Sequence, residues 1–246
     1  MQDKLYIVIP AYNEEANIRK VVDEWYPIAV MAGEDSRLVI VDDGSRDSTL
    51  SVLQEEQKNR PRLIVKHKEN SGHGGTILYG YKFALSEGAD YVFQTDSDGQ
   101  TNPAEFEEFY RCRRHYDMVI GSRKGRQDGL SRILVTKILK AVVFLCFHVW
   151  VEDANTPFRL MKGETLKREL KYVPKDYFLT NVLLTVAFTK HNRSIRYIPI
   201  TFRPRQGGVN SINMKRIFGI GKNALRDFAR LNRILLERAL TRRPDN

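Results

Sequence analysis

Short apolar runs alternate with longer helical segments through the first half of the chain, and this alternation restricts the possible folds most strongly. The runs have the length of buried strands, and most end at proline, glycine or aspartate; they are Leu5–Ile9, Leu38–Val41, Leu63–Val65, Tyr91–Phe93 and Met118–Ile120. Strands that alternate with helices are typical of a parallel sheet covered on both faces. We therefore predict an α/β fold with a mostly parallel sheet.

Polar or glycine-rich residues follow several of these runs. They are Pro10–Tyr12, Asp42 with Asp43, the turn Gly72–Gly75, and Asp96–Asp98. In open α/β sheets, ligands bind beyond the carboxyl ends of the strands. We therefore predict one shared site at this edge. We also predict a helix that opens at Tyr12–Glu15 and runs to about Val30, and a flexible turn at the glycine segment before a helix that begins near Thr76.

Asp96 and Asp98 stand one residue apart, directly after a buried run. In an extended chain they would point to the same side, with Gln100 near enough to add a neutral oxygen. Two carboxylates that close repel each other unless a cation lies between them, and hard oxygen ligands suit Mg²⁺ or Mn²⁺. The alternative is a polar turn with Asn102 as N-cap and Pro103 in the first helical position. That alternative leaves the two aspartates and Gln100 unexplained.

The segment Leu130–Val151 contains neither glycine nor proline and is apolar on all sides over Ala141–Phe147. A membrane-spanning helix needs about 20 apolar residues. Here Lys137, Lys140 and His148 interrupt the apolar stretch. The pattern predicts either a buried packing helix or a basic and apolar helix that lies against a membrane surface.

The formal net charge of +10 and the isoelectric point near 9.6 indicate a polyanionic partner, such as nucleic acid, a phosphorylated substrate or an anionic membrane. The stretch from Met214 is predicted to be a basic helix, with either a solvated face or contacts to anionic lipid. Cys112 and Cys146 lie far apart, which indicates reduced thiols in a cytosolic protein. The N-terminal apolar run is too short for a signal peptide.

Four motifs occur in a fixed order: PAYNEE at Pro10–Glu15, VDDGSRDST at Val41–Thr49, NSGHGG at Asn70–Gly75 and TDSDGQ at Thr95–Gln100. In order and spacing they resemble the family 2 glycosyltransferases. Three further segments are similar to the polyprenyl-phosphate sugar transferases, the group that contains dolichol-phosphate mannose synthase. These segments are GSR at Gly121–Arg123, DANTPFRLMK at Asp153–Lys162 and IPITFRPRQGGVNS at Ile198–Ser211.

The resemblance implies a GT-A fold and an inverting, metal-dependent transfer of a sugar from a UDP-sugar or GDP-sugar. It divides the chain into a glycosyltransferase domain over 1–212 and a basic C-terminal helix over 213–246. Within the domain, 1–123 would bind the nucleotide sugar and 124–212 would form the acceptor side.

The resemblance also implies roles for individual residues. The predicted nucleoside contacts are Pro10, Ala11, Tyr12, Glu14 and Asp43. Asp96 would contact the donor near the metal, and Asp98 with Gln100 would bind Mg²⁺ or Mn²⁺. The predicted phosphate-binding residues are Arg123, Arg205 and Lys215. Asp153 would be a base or an orienting group near the acceptor, and we expect it to act in catalysis with Asp96, Asp98 and Arg123.

The expected acceptor is a polyprenyl phosphate, undecaprenyl or dolichyl, at the cytosolic face of a membrane. We expect peripheral attachment through residues 130–151 and the C-terminal helix rather than through appended membrane-spanning helices, and no nucleic-acid partner. One alternative is a soluble glycan or other hydroxyl acceptor, for which Asp153 would be an essential base. Another is a non-catalytic nucleotide- or nucleic-acid-binding module. At Thr156-Pro157-Phe158 the chain departs from the family, which usually has glycine before the phenylalanine.

Overall fold

The computed structural model describes residues 3–123, 130–175, 177–203, 228 and 232, with the side chains of 130–137 excepted. The strands are β1 (Leu5–Ala11), β2 (Arg37–Asp42), β3 (Leu63–His67), β4 (Tyr91–Gln94), β5 (Met118–Ser122), β6 (Arg159–Lys162) and β7 (Ile195–Pro199). The α-helices are α1 (Ile18–Ala32), α2 (Thr49–Lys58), α3 (Gly72–Ser86), α4 (Phe106–Cys112), α5 (Leu130–Phe147), α6 (Gly163–Glu169) and α7 (Thr180–Lys190).

The strands form one 7-stranded sheet in the order β3-β2-β1-β4-β6-β5-β7. Every pairing is parallel except those of β6, which runs antiparallel to both β4 and β5. The predicted α/β fold with a mostly parallel sheet is confirmed.

The reversal of β6 decides which loops meet. Arg159, the first residue of β6, pairs with Gln94 at the carboxyl end of β4 and with Ile120 of β5. The segment that precedes β6 therefore lies at the same edge of the sheet as the segments that follow β4 and β5. Residues of the second half of the chain reach the predicted site in this way.

Each face of the sheet buries its own apolar cluster, because successive strand residues point to opposite faces. Val8 and Val39 pack in one cluster with residues of α3 and α7, whereas Ile7 and Ile40 pack in the other with residues of α1. The second cluster contains a group of aromatic rings in mutual contact: Trp25, Phe93, Phe106, Phe109 and Phe158.

The prediction that Pro10 ends the first strand is wrong. Strand β1 continues to Ala11, and Pro10 is in register with Val41. The carbonyl of Val8 accepts a bond from Thr95 on the β4 side. Pro10, two residues later, faces the same side, where β4 has already ended at Gln94. The missing N–H of the proline therefore costs no hydrogen bond of the ladder.

Two predicted helix starts are also wrong. Helix α1 begins at Ile18 rather than near Tyr12, after turns in which the Glu14 carbonyl accepts from two later backbone N–H groups. The glycine segment is the first turn of α3, which begins at Gly72 rather than near Thr76. Position 74 needs glycine for close packing rather than for flexibility, because a Cβ there would lie 2.2 Å from the carbonyl oxygen of Tyr177.

The Asn102 cap is confirmed: its side chain accepts from the backbone N–H of Ala104 at 3.3 Å, ahead of a 3-10 turn at Pro103–Glu105. The predicted basic helix over 213–246 lies outside the described residues, apart from Phe228 and Asn232. The division of the chain at residues 123 and 212 stays a prediction.

Replacing Gly74 with alanine is expected to lower the free energy of unfolding by about 1–3 kcal/mol, because the new methyl group meets backbone atoms that cannot rotate away. Gly75→Ala is the matched control. Its Cβ would meet the hydroxyl of Ser71, which can rotate, and alanine favours a helix by about 1 kcal/mol over glycine. Urea unfolding of both variants measures the difference, and equal stability would contradict the close approach at Gly74.

Candidate active site

The carboxyl ends of β1, β2 and β4 lie next to one another. Ala11 is in register with Asp42, and the backbone N–H of Thr95 bonds to the carbonyl of Val8 at 3.2 Å. The segments that begin with Tyr12, Asp43 and Thr95 therefore leave neighbouring strands at one edge. This is the arrangement in which open α/β sheets bind ligands.

The residues predicted to contact the nucleoside differ in what they expose. Pro10 and Ala11 are buried in β1, so they present backbone rather than side chain. Tyr12 is exposed at the strand end. Glu14 is buried, with its carboxylate accepting from the Asn17 side chain at 2.9 Å and its backbone N–H donating to Thr49 Oγ1 at 2.8 Å. Glu14 thus shapes the loop that carries Tyr12.

Asp43 is buried and engaged by the loop that follows β3. Its Oδ1 accepts from the backbone N–H of Ser71 at 2.9 Å and forms an ion pair with Lys68. The side chain of Asn70 donates to the Asp43 carbonyl at 2.9 Å. Sequence analysis did not identify Lys68. The apolar run before it marks a strand end, but nothing in the local pattern pairs it with a residue 25 positions earlier.

Asp42 has a different environment from its neighbour. Its Oδ2 lies 2.7 Å from His67 Nδ1 and accepts from the backbone N–H of Ser45 at 3.3 Å. Its Oδ1 is buried and has no hydrogen-bond partner among the described residues. Asp42 therefore holds the turn after β2.

The Asp96–Gln100 segment forms a compact turn after β4. Asp98 Oδ1 accepts from the backbone N–H of Gln100 at 3.1 Å. The Gln100 side chain donates to the Arg203 carbonyl at 3.0 Å, and the Gln100 carbonyl accepts from the Arg203 N–H at 2.7 Å. Asp96 is partly exposed, and its Oδ1 lies 3.7 Å from Nε2 of His73. The turn is thereby tied to the second half of the chain.

The donor set of this turn fits a hard divalent cation such as Mg²⁺ or Mn²⁺. The NH₂ group of Gln100 is bonded to the Arg203 carbonyl, which leaves its amide oxygen as the end able to bind a metal. The Asp98 carboxylate accepts from the backbone N–H of the same residue. In the part of the chain that the structure describes, no three His, Cys, Asp or Glu side chains lie close enough to hold an ion by themselves. An ion here would need oxygen atoms from a ligand, and Mg²⁺ commonly takes them from phosphates.

Arg123 and Asp153 form a buried two-bond ion pair. Arg123 Nε donates to Asp153 Oδ2 at 2.8 Å, and its second terminal nitrogen, Nη2, donates to Oδ1 at 2.9 Å. Alongside it, Ser122 donates to Glu152 at 2.5 Å. The structure therefore brings together two predicted site residues that lie 30 positions apart. Fork-like pairs of this type fix the plane of the guanidinium.

Arg159 is a second arginine near this edge that sequence analysis did not select. It is completely buried. Within the described residues its guanidinium donates to the carbonyls of Ala154, Thr156 and Asn181 and to the hydroxyl of Thr185. Burial lowers the pKa of this group. Its position in an otherwise apolar strand could have identified it, because a buried charged residue must have several hydrogen-bond partners.

The segment Thr156-Pro157-Phe158, where the chain has Pro157 in place of the family's usual glycine, is buried next to the same arginine. Thr156 is buried, and its carbonyl accepts from Arg159 Nε at 2.9 Å. Phe158 follows in the aromatic group, 4.7 Å from the ring of Phe93. Pro157 is itself buried in the loop between Asp153 and β6, so the loop has room for a proline ring at the position where the family usually has glycine.

Helix α5 has a buried side and an exposed apolar side, so contact with a membrane surface stays a prediction. Val143 and Phe147 are buried in the core, whereas Leu145 is 67% exposed and Trp150, just after the helix, is 72% exposed. The ring of Trp150 contacts that of Phe144, which is also exposed. Among the described residues, no helix is both long enough and apolar enough to cross a bilayer.

Two predicted phosphate-binding residues, Arg205 and Lys215, lie outside the described residues. The structure therefore brings the other candidates together in two groups. One comprises Tyr12, Asp43 and the Asp96–Gln100 turn, and the other is the Arg123–Asp153 pair. The bond between Gln100 and Arg203 links the turn to the chain that follows β7.

Comparison with known proteins identifies similar sequences. A UDP-N-acetylglucosamine–dolichyl-phosphate N-acetylglucosaminyltransferase of Methanococcus voltae is 32% identical over 221 residues, which cover 81% of this chain and 86% of that protein. A polyprenol monophosphomannose synthase of Mycolicibacterium smegmatis is 26% identical over 220 residues, which cover 86% of this chain and 82% of that protein. The resemblance to polyprenyl-phosphate sugar transferases is confirmed.

Among solved structures, glucosyl-3-phosphoglycerate synthase from Mycobacterium tuberculosis, in complex with Mn²⁺ and UDP-glucose, superimposes with a TM-score of 0.66. The match covers 93% of this chain and 79% of that chain at 18% sequence identity, which establishes the fold. The predicted GT-A architecture is confirmed.

The sequence model described as Glycosyl transferase family 2 matches residues 6–170, which is more than half of the chain. The matched range contains most of β1, all of β2 to β6, the Asp96–Gln100 turn and the Arg123–Asp153 pair. The chain therefore belongs to glycosyl transferase family 2 and is a glycosyltransferase.

Proposed function

We propose that the enzyme transfers a sugar, with inversion and with a divalent metal, from a UDP-sugar or GDP-sugar to a polyprenyl phosphate at the cytosolic face of a membrane. The observation that carries the proposal is that one segment joins the acceptor-side ion pair to an exposed apolar surface. Helix α5 lies between Arg123 and Asp153 in the chain and presents Phe144 and Leu145 to solvent, followed by Trp150.

The lipid acceptor is supported by the named relatives and by this surface. The archaeal and mycobacterial relatives are named for transfer to dolichyl phosphate and for polyprenol monophosphomannose synthesis. A polyprenyl chain needs apolar surroundings close to the site that receives its phosphate. The exposed side chains of α5 and Trp150 provide an apolar surface that can insert into the interfacial region of the membrane, between headgroups and acyl chains.

The donor side follows from the other group of residues. Tyr12 and Asp43, with the backbone of Pro10 and Ala11, would surround the nucleoside on the loop that Glu14 shapes, and Asp96 would contact the donor near the metal. Asp98 and Gln100 would hold Mg²⁺ or Mn²⁺. When bound, the ion would stabilise the negative charge of the leaving diphosphate. The fold neighbour that binds Mn²⁺ and UDP-glucose supports this assignment.

In the reaction, an oxygen of the acceptor phosphate attacks the anomeric carbon of the sugar from the face opposite the donor diphosphate. The new carbon–oxygen bond forms while the bond to the diphosphate breaks, and the nucleoside diphosphate leaves with the bonding electrons. This in-line displacement inverts the configuration. The attacking oxygen is already anionic near neutral pH, so alignment and charge stabilisation are sufficient and no strong base is required.

Arg123 and Asp153 would act together on the acceptor side, where Arg205 and Lys215 would also bind phosphate. Asp153 holds Nε and Nη2 of Arg123, which leaves Nη1 to donate to a phosphate oxygen. A carboxylate committed to a guanidinium in this way orients the arginine. We therefore assign Asp153 an orienting role rather than that of a base.

Asp98→Asn is expected to weaken the Mn²⁺-dependent binding of UDP or GDP by at least about tenfold, because the amide lacks the charge that attracts the ion. Thermal shift and calorimetry with each diphosphate, with and without Mn²⁺, measure the effect. Asp35→Asn, an exposed residue in the loop before β2, is the matched control. Stabilisation by a single-stranded oligonucleotide but by neither diphosphate would instead favour a nucleic-acid-binding module.

Asp153→Asn is expected to retain activity within about tenfold with a polyprenyl phosphate acceptor, because the amide oxygen can still accept from Arg123 and no base is lost. A hydroxyl acceptor that needs Asp153 as base would lose about 10²–10⁴-fold. Steady-state rates across a pH series distinguish the two cases, with Glu152→Gln as the control for the neighbouring carboxylate. A loss above 10²-fold would contradict the orienting role.

Leu145→Glu combined with Trp150→Glu is expected to reduce binding to anionic vesicles by about tenfold or more, since burying each apolar side chain contributes about 1.5–3 kcal/mol. Flotation of the full chain with phosphatidylglycerol vesicles at low salt measures this. Met31→Glu, on the exposed side of α1, is the control. Equal flotation of the double variant and the wild type would contradict membrane contact through this surface.

A further inference from the structure

We propose that Gln94, held by Tyr81, is a positioning residue that fixes the orientation of the Asp96 carboxylate for the donor. The proposal rests on the proposed function, because it assigns a task to Asp96 in donor binding. Gln94 and Tyr81 belong to none of the motifs that carry the family resemblance, and both lie beneath the site rather than in it.

Gln94 is the last residue of β4 and is completely buried between Val8 of β1 and Arg159 of β6. The three residues before it, Tyr91–Phe93, are apolar, as expected of a central strand. A buried amide in such a strand must find partners for its donor and acceptor ends.

The acceptor end of the Gln94 amide is fixed by Tyr81. The Tyr81 hydroxyl donates to Gln94 Oε1 at 2.9 Å, and Oδ1 of Asn181 lies 3.4 Å from the same hydroxyl. Tyr81 is completely buried, and burial raises the pKa of its phenol far above the ordinary value. The hydroxyl therefore keeps its proton and remains a donor. With Oε1 held in this way, the NH₂ group of Gln94 must point in the opposite direction.

That direction leads to Asp96. Gln94 Nε2 donates to Asp96 Oδ1 at 3.3 Å. The other described contact of this carboxylate, from His73 at 3.7 Å, is to the same oxygen. One side of the carboxylate is thus turned towards the protein, which leaves Oδ2 for a ligand. Asp96 is partly exposed, so without these contacts its side chain would be free to rotate.

The consequence is preorganisation of an anionic group. A carboxylate that acts beside a metal and a diphosphate is effective only when its orientation is set before the ligand arrives. Residues that hold a metal-site or substrate-binding side chain in place, without touching the metal or substrate themselves, typically change metal affinity or activity by about 10–100-fold when they are removed. A purely structural amide would instead change stability and leave ligand binding unaltered.

Two variants test the proposal. Gln94→Met removes both ends of the amide at similar size, and Tyr81→Phe removes one hydroxyl and frees the amide to rotate. Tyr6→Phe is the matched control, because Tyr6 is buried in the same apolar cluster but lies near the amino end of β1, away from the site. Thermal unfolding of each variant monitors the fold.

The measurement is calorimetric binding of UDP and GDP, each with and without MnCl₂. The quantity compared is the factor by which Mn²⁺ strengthens binding of the diphosphate. We expect this factor to fall about 10-fold or more in Gln94→Met, by less in Tyr81→Phe, and not at all in Tyr6→Phe. In the background of Asp96→Asn, adding Gln94→Met should have no further effect, since the two residues act as one unit.

An unchanged Mn²⁺ factor in both Gln94→Met and Tyr81→Phe, with the wild type binding normally, would overturn this inference alone. The inference would also be overturned if Gln94→Met lowered the Mn²⁺ factor as much in the Asp96→Asn background as in the wild type, because Gln94 would then act through another group. If the wild-type protein bound neither UDP nor GDP in the presence of MnCl₂, both the inference and the proposed function would be overturned.

Discussion

The antiparallel strand β6 and the buried guanidinium at its start are the features on which the rest of the site depends. Because β6 runs against β4 and β5, the loop that carries Asp153 enters the sheet at the edge where the Asp96–Gln100 turn leaves it. Arg159 stabilises this reversal by bonding the carbonyls of that loop and of α7. A buried charge is tolerated only with such a set of partners. The two groups of site residues are neighbours for this reason.

The sequence predicted the elements that depend on local chemistry. Apolar runs marked the strands, and Asn102 with Pro103 marked the start of a helical turn. The predictions were wrong where contacts with residues distant in the chain determine the local structure. Pro10 stays in β1 because the neighbouring strand has ended, and position 74 needs glycine because Tyr177 packs against it. The direction of β6 depends on pairing with strands far away in the chain, which no local pattern records.

For the site, residue types were more predictable than their partners. Acidic residues after buried strands indicated where the ligand edge lies, and the structure confirms that these strand ends are adjacent. The partners of Asp43 and Asp153 lie 25 and 30 positions away, so their pairing depends on the completed fold. Gln94 does not stand out in the sequence, but in the folded protein its buried amide is held in one orientation by its bonds to Tyr81 and Asp96. Such effects become visible only when the distances are known.

The contact between Gly74 and Tyr177 bears on the modularity of the enzyme. The carbonyl of Gly74 also accepts from the hydroxyl of Thr180 at 3.0 Å, so the first turn of α3 is fastened to the first turn of α7. Two helices that are far apart in the chain, α3 and α7, therefore meet at a contact without space for an added methyl group. Exchanging one part of the chain with that of a relative would require matching residues at this contact. We therefore expect specificity for sugar and acceptor to evolve through changes in loops rather than by recombination of larger segments.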